Sequence, residues 1–108
     1  MKAHGAVLWG RNQAWQIEEF DLDEPREQEV LVKWVAAGLC HSDEHFRVSD
    51  MGAAPDEDSG RFDPHLFPRV GGHEGAGIVV GVGPGVRRLE VGDHVAASFF
   101  PVCGHCRM

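Results

Sequence analysis

The chain has 108 residues, room for one small domain and not two. Hydrophobic residues make up 43% and charged residues 25%, an ordinary globular balance, and the formal net charge is −7. Few, scattered Lys and Arg argue against nucleic acid or an anionic membrane as a partner, and no apolar run reaches the ~20 residues of a membrane span.

Lys2 to Leu8 reads as a short apolar-rich strand ending at Trp9-Gly10. Trp15, Ile17 and Phe20, with Gln16, Glu18 and Glu19 between them, predict a second, half-buried strand. Glu29 to Ala37 is the strongest strand pattern, bounded by Pro25 and Gly38. A short helix follows, with Ser42 as its N-cap, Asp43 and Glu44 in the first turn, and Phe46 packing inward. Residues 49–69 carry Gly52, Pro55, Gly60, Pro64 and Pro68 and read as a long loop or insertion. Gly77 to Val82 and His94 to Phe100 are the last predicted strands, separated by turns at Gly83-Pro84-Gly85 and Gly92-Asp93. Strands dominate and turns recur at short intervals, so the fold class is mainly β, a small barrel or sandwich. Trp9, Trp15 and Trp34 are assigned to the core, and the acidic clusters at 18–24 and 56–58 to solvated loops. Gly81-Val82-Gly83-Pro84-Gly85-Val86 ends in Val where G-x-G-x-x-G needs Gly, so no nucleotide-binding loop is present.

The N-terminus lacks the basic-then-apolar pattern of a secretory signal, which points to the cytoplasm. Three cysteines, an odd number, argue against a disulfide framework and for metal ligation or thiol chemistry. Taken singly, a Cys is more often packing and a His more often surface. Cys40 and His73, 33 positions apart (73 − 40), have unusual neighbours. Cys40 lies in Gly38-Leu39-Cys40-His41-Ser42-Asp43-Glu44-His45, and His73 in Gly72-His73-Glu74, followed by Gly77 and Gly83. Thiolate and imidazole are strong zinc ligands, and here both sit beside carboxylates and a hydroxyl.

Gly72-His73-Glu74-x-x-Gly77-x5-Gly83-x-x-Val86 resembles the signature of the zinc-dependent medium-chain alcohol dehydrogenases. The Gly-Leu-Cys-His-Ser-Asp run resembles that family's first ligand segment, and Gly92-Asp93-His94-Val95 its usual turn. The resemblance covers nearly the whole chain. It implies a GroES-like, partly open β-barrel with a short helix and a long loop, residues 1–108 being an N-terminal catalytic domain cut before the Rossmann domain. It further implies catalytic zinc held by Cys40 and His73, with a third ligand beyond the chain and one open position. Glu74 then approaches the metal or tunes it from behind, and Asp43 orients His73 through its other ring nitrogen. Ser42 hydrogen-bonds the substrate hydroxyl, His45 releases the proton, and His41 stands near the cofactor pyrophosphate. Zinc lowers the pKa of bound water by many units, to ~7, so the metal makes the main contribution and Ser42 with His45 the proton route.

Cys103-Gly104-His105-Cys106 also spells a thiol–disulfide exchange motif. Context favours a second reading: by the resemblance, Cys103 and Cys106 open a four-cysteine structural zinc site. The implied activity is oxidation of alcohols to aldehydes or ketones, with zinc and NAD(P) as cofactors. The implied partner is a small alcohol or aldehyde, in an enzyme that is homo-oligomeric at full length. The chain's opening residues, the Cys-His-Ser-Asp-Glu-His run and the long loop resemble the nicotinoprotein, nitrosoaniline-using branch. Two rival readings are a thiol–disulfide oxidoreductase using Cys103 and Cys106, and a non-catalytic β-barrel interaction module. The 108 residues alone are expected to be inactive.

Overall fold

The computed structural model describes residues 1–48 and 67–100; most of the predicted long loop, and Cys103 with Cys106, lie outside these. The elements are β1 (Lys2–Leu8), β2 (Gln16–Asp21), β3 (Val30–Ala37), α1 (His41–Val48), β4 (Arg69–Val70), β5 (Gly75–Val82) and β6 (His94–Ala96). The chain divides into two units, Met1–Glu24 with Leu39–Gly72, and Pro25–Gly38 with His73–Met108. Each unit contains one three-stranded antiparallel sheet, and neither sheet closes on itself among the described residues.

In the first unit β1 is the central strand, between β2 and β4. Lys2 pairs with Asp21 and Val7 with Gln16, and Val7 also pairs with Val70. The two-residue β4 falls where the sequence predicted only the loop's end and the residue after it. Val7 and Leu8 are the buried apolar residues of this sheet, and Leu8 is fully enclosed. Along β2 the two-residue period turns Glu18 and Phe20 inward and leaves Ile17 at 77% exposure. The predicted face is therefore corrected: Trp15, Ile17 and Phe20 do not share a period of two. The inward Glu18 is satisfied because its carboxylate accepts from the Trp9 indole N–H.

α1 also belongs to the first unit. Its first turn closes with the Asp43 N–H donating to the Cys40 carbonyl at 3.1 Å, which puts Cys40 rather than Ser42 at the cap position. Its last carbonyls are tied to the β1–β2 connection. Asn12 N–H donates to the Arg47 carbonyl at 2.8 Å, and Arg11 Nε to that of Val48 at 3.4 Å. Phe46 is half-buried as predicted, with the Arg69 guanidinium 3.9 Å above its ring.

In the second unit β5 lies between β3 and β6, and Val79 on β5 is fully buried. Two of the signature glycines are explained by this sheet. A Cβ at Gly77 would stand 2.3 Å from the Lys33 carbonyl oxygen, and one at Gly83 1.8 Å from that of Arg26. Backbone approaches backbone at both places, and a side chain would separate the strands. β6 stops at Ala96, four residues short of its predicted end. Ala97 N–H still donates to the Gly75 carbonyl at 2.8 Å, after which the Ser98 hydroxyl accepts from Phe100 N–H at 3.4 Å and the chain bends. Trp9 and Trp34 are 48% and 51% exposed, so they are not core residues; Trp15 is half-buried.

Candidate functional site

In the first unit, α1 and the residue before it carry five of the residues singled out from sequence: Cys40, His41, Ser42, Asp43 and His45. Cys40 is a half-buried thiol, not half of a disulfide. The Ser42 hydroxyl lies 3.0 Å from Cys40 Sγ. With Ser42 freed from the capping role, its oxygen turns back along the helix entry toward the sulfur. Either the hydroxyl or the thiol can donate in this contact. His41 and His45 are one helical turn apart and stack, with ring centroids 4.5 Å apart. Arg47 holds Glu44 by a two-pronged ion pair on the same helix. That hydrogen-bonded guanidinium, assisted by nearby His41 and His45, holds the Glu44 carboxyl below its ordinary range.

In the second unit, His73 and Glu74 precede β5. His73 is half-buried, with the Phe99 ring against it edge-on at 5.7 Å between centroids. The Glu74 carbonyl accepts the Gly38 N–H at 2.7 Å, and its carboxylate lies over Gly38, 2.6 Å from where a Cβ would be. Gly38 thus holds Glu74, a role the sequence reading missed when it treated this glycine as a strand boundary. Phe99 was also missed, having been assigned to a strand. The Glu44–Arg47 pair was legible as an i,i+3 spacing. Gly72, immediately before His73, has φ of 90°, a left-handed conformation that turns the chain into the His73-Glu74 pair. Cys103 and Cys106 lie outside the described residues.

The alcohol dehydrogenase GroES-like domain family matches residues 26–108. The chain belongs to this family. It is 50% identical over 107 residues to the NDMA-dependent alcohol dehydrogenase of Amycolatopsis methanolica, covering 99% of this chain and 26% of that one. Among solved structures it is similar to benzyl alcohol dehydrogenase from Acinetobacter calcoaceticus. There the TM-score is 0.79 at 35% identity, over 98% of this chain and 26% of the other. It is also similar to an alcohol dehydrogenase zinc-binding domain protein from Burkholderia ambifaria, with TM-score 0.77 and 39% identity, over 98% and 25%. The chain therefore spans about a quarter of the length of the relatives it matches. These likenesses agree with the mainly β, GroES-like class read from the sequence. None of them supports thiol–disulfide exchange or a non-catalytic interaction module. No helix among the described residues is long and apolar enough to cross a membrane.

Proposed function

We propose that the chain is the N-terminal, metal-holding part of a zinc-dependent alcohol dehydrogenase. The enzyme oxidises a small alcohol to an aldehyde or ketone by hydride transfer to a nicotinamide cofactor, NAD or NADP. The observation that carries this reading is the family match over residues 26–108, which includes both ligand segments. The A. methanolica relative supports the nicotinoprotein branch, with a tightly held cofactor and a nitrosoaniline as acceptor. A homo-oligomeric full-length enzyme is part of the same proposal.

The donor chemistry fits zinc: Cys40 offers a thiolate, His73 an imidazole and Glu74 a carboxylate. The match to the family over both ligand segments is what supports assigning the three to one ion. When bound, zinc supplies Lewis-acid charge for the substrate oxygen. Ser42, held at 3.0 Å from Cys40 Sγ, hydrogen-bonds the substrate hydroxyl and takes part in moving its proton. His45, three positions further on the helix, receives that proton and passes it to solvent. Asp43 orients the His73 imidazole, Glu74 tunes the ligand set, and His41 faces the cofactor pyrophosphate. Cys103 and Cys106 supply half of a structural zinc site.

The test is made on the longer enzyme that carries these residues, assayed for alcohol-dependent reduction of a nitrosoaniline and for bound zinc. Cys40→Ser should lose zinc and turnover together, and Ser42→Ala should retain zinc while losing about 10²-fold in kcat. A Cys40→Ser enzyme with unchanged zinc content and rate would refute the assignment.

A further inference from the structure

Two imidazoles of α1, His41 and His45, are not among the proposed zinc ligands. His41 and His45 are one turn apart, and their rings stack with centroids separated by 4.5 Å and planes inclined by 29°. Two nitrogens that each sit ~2.1 Å from a shared ion are at most ~4.2 Å apart. The i,i+4 spacing is the one by which two histidines on one helix face share an ion, and turning the stacked rings edge-on makes their in-plane lone pairs converge. His41 is exposed and His45 half-buried, so solvent reaches the pair. Glu44 lies on the same helix but is occupied by Arg47, which leaves the two rings as the donors.

We propose that His41 and His45 form a second metal site, a two-imidazole chelate for a divalent transition-metal ion. It is distinct from the Cys40, His73 and Glu74 donor set. Imidazole nitrogen suits Ni²⁺, Cu²⁺ and Zn²⁺, whereas Mg²⁺ and Ca²⁺ take oxygen ligands. With two protein ligands the remaining positions are filled by water, so the ion exchanges readily. Occupancy would take up a ring nitrogen of His45. Where the proton-relay reading of His45 holds, the bound ion is an inhibitor; the site itself does not depend on that reading.

The experiment titrates Ni²⁺ into ¹⁵N-histidine-labelled chain and follows the imidazole signals by NMR. Cys40→Ser, Cys103→Ser and Cys106→Ser are included in every sample so that no thiolate captures the ion. His41 and His45 should broaden first, ahead of His4 and His94, and Mg²⁺ should broaden none of them. Adding His41→Ala should weaken nickel binding by about tenfold or more, since loss of even an outer partner of a ligand costs that much. His94→Ala should leave it unchanged. Broadening of His41 and His45 no earlier than His4 would overturn the proposal, a result read without any variant of the pair. Equal nickel affinity in His41→Ala and His94→Ala would overturn it as well.

Discussion

Gly77→Ala tests whether the signature glycine serves the sheet rather than the chemistry. Gly77 is buried in the central strand β5, opposite Trp34 on one side and Val95 on the other. An added Cβ would stand 2.3 Å from the Lys33 carbonyl oxygen, against the 3.0 Å below which such contacts essentially never occur. At least 0.7 Å (3.0 − 2.3) must be found. Neither neighbour can yield it cheaply, because β3 and β6 hold β5 from both sides through backbone hydrogen bonds. Overpacking of this kind costs ~2–3 kcal/mol, or ~8–24 °C in Tm at ~4–8 °C per kcal/mol for a chain of this size. Gly75→Ala on the same strand is the control. Its Cβ would meet the Trp34 ring at 2.8 Å, but that ring is half exposed and can swing away. Its cost should be under ~1 kcal/mol, offset by the lower entropy of the unfolded chain. The assay is thermal unfolding by circular dichroism. Equal Tm shifts for the two variants, or a Gly77→Ala shift under ~3 °C, would refute the account.

Leu8→Ala removes the fully enclosed side chain of the first sheet and should cost ~2–5 kcal/mol by urea denaturation. Zinc should stabilise the chain by ~2.7 kcal/mol at a concentration of ~100 times Kd. Cys40→Ser should diminish that gain, and an undiminished zinc-induced rise in Tm would count against Cys40 as a ligand. Glu44 titrates below its ordinary range in the folded chain because of Arg47. The stabilisation from this pair is complete above the unfolded-state carboxylate value and fades as pH falls through the lower folded-state value. Arg47→Ala should raise the Glu44 midpoint toward its ordinary value, read by ¹³C NMR of the side-chain carboxyl; an unmoved midpoint would show that Arg47 is not the cause.

Much of this protein was written in local pattern. The apolar-rich run at Lys2–Leu8 and the run bounded by Pro25 and Gly38 appear as strands, and the acidic start at Asp43 and Glu44 marks a helix. The motifs around Cys40 and His73 named the family because particular residue types at fixed spacings do not need coordinates to be recognised. What local pattern left open was anything set by a neighbour distant in sequence. Ile17 faces outward because pairing with β1 assigns the face of β2, and propensity carries no such information. Ser42 bonds to Cys40 Sγ and does not cap, since the helix begins one residue before it. Gly77 and Gly83 looked like parts of a chemical signature, yet carbonyl oxygens of Lys33 and Arg26, more than forty residues earlier, are what exclude a side chain there. Residue types at fixed spacings determined the family; the pairing of strands decided which backbone atoms press against which, because those distances are set by hydrogen bonds across the sheet and not along the chain.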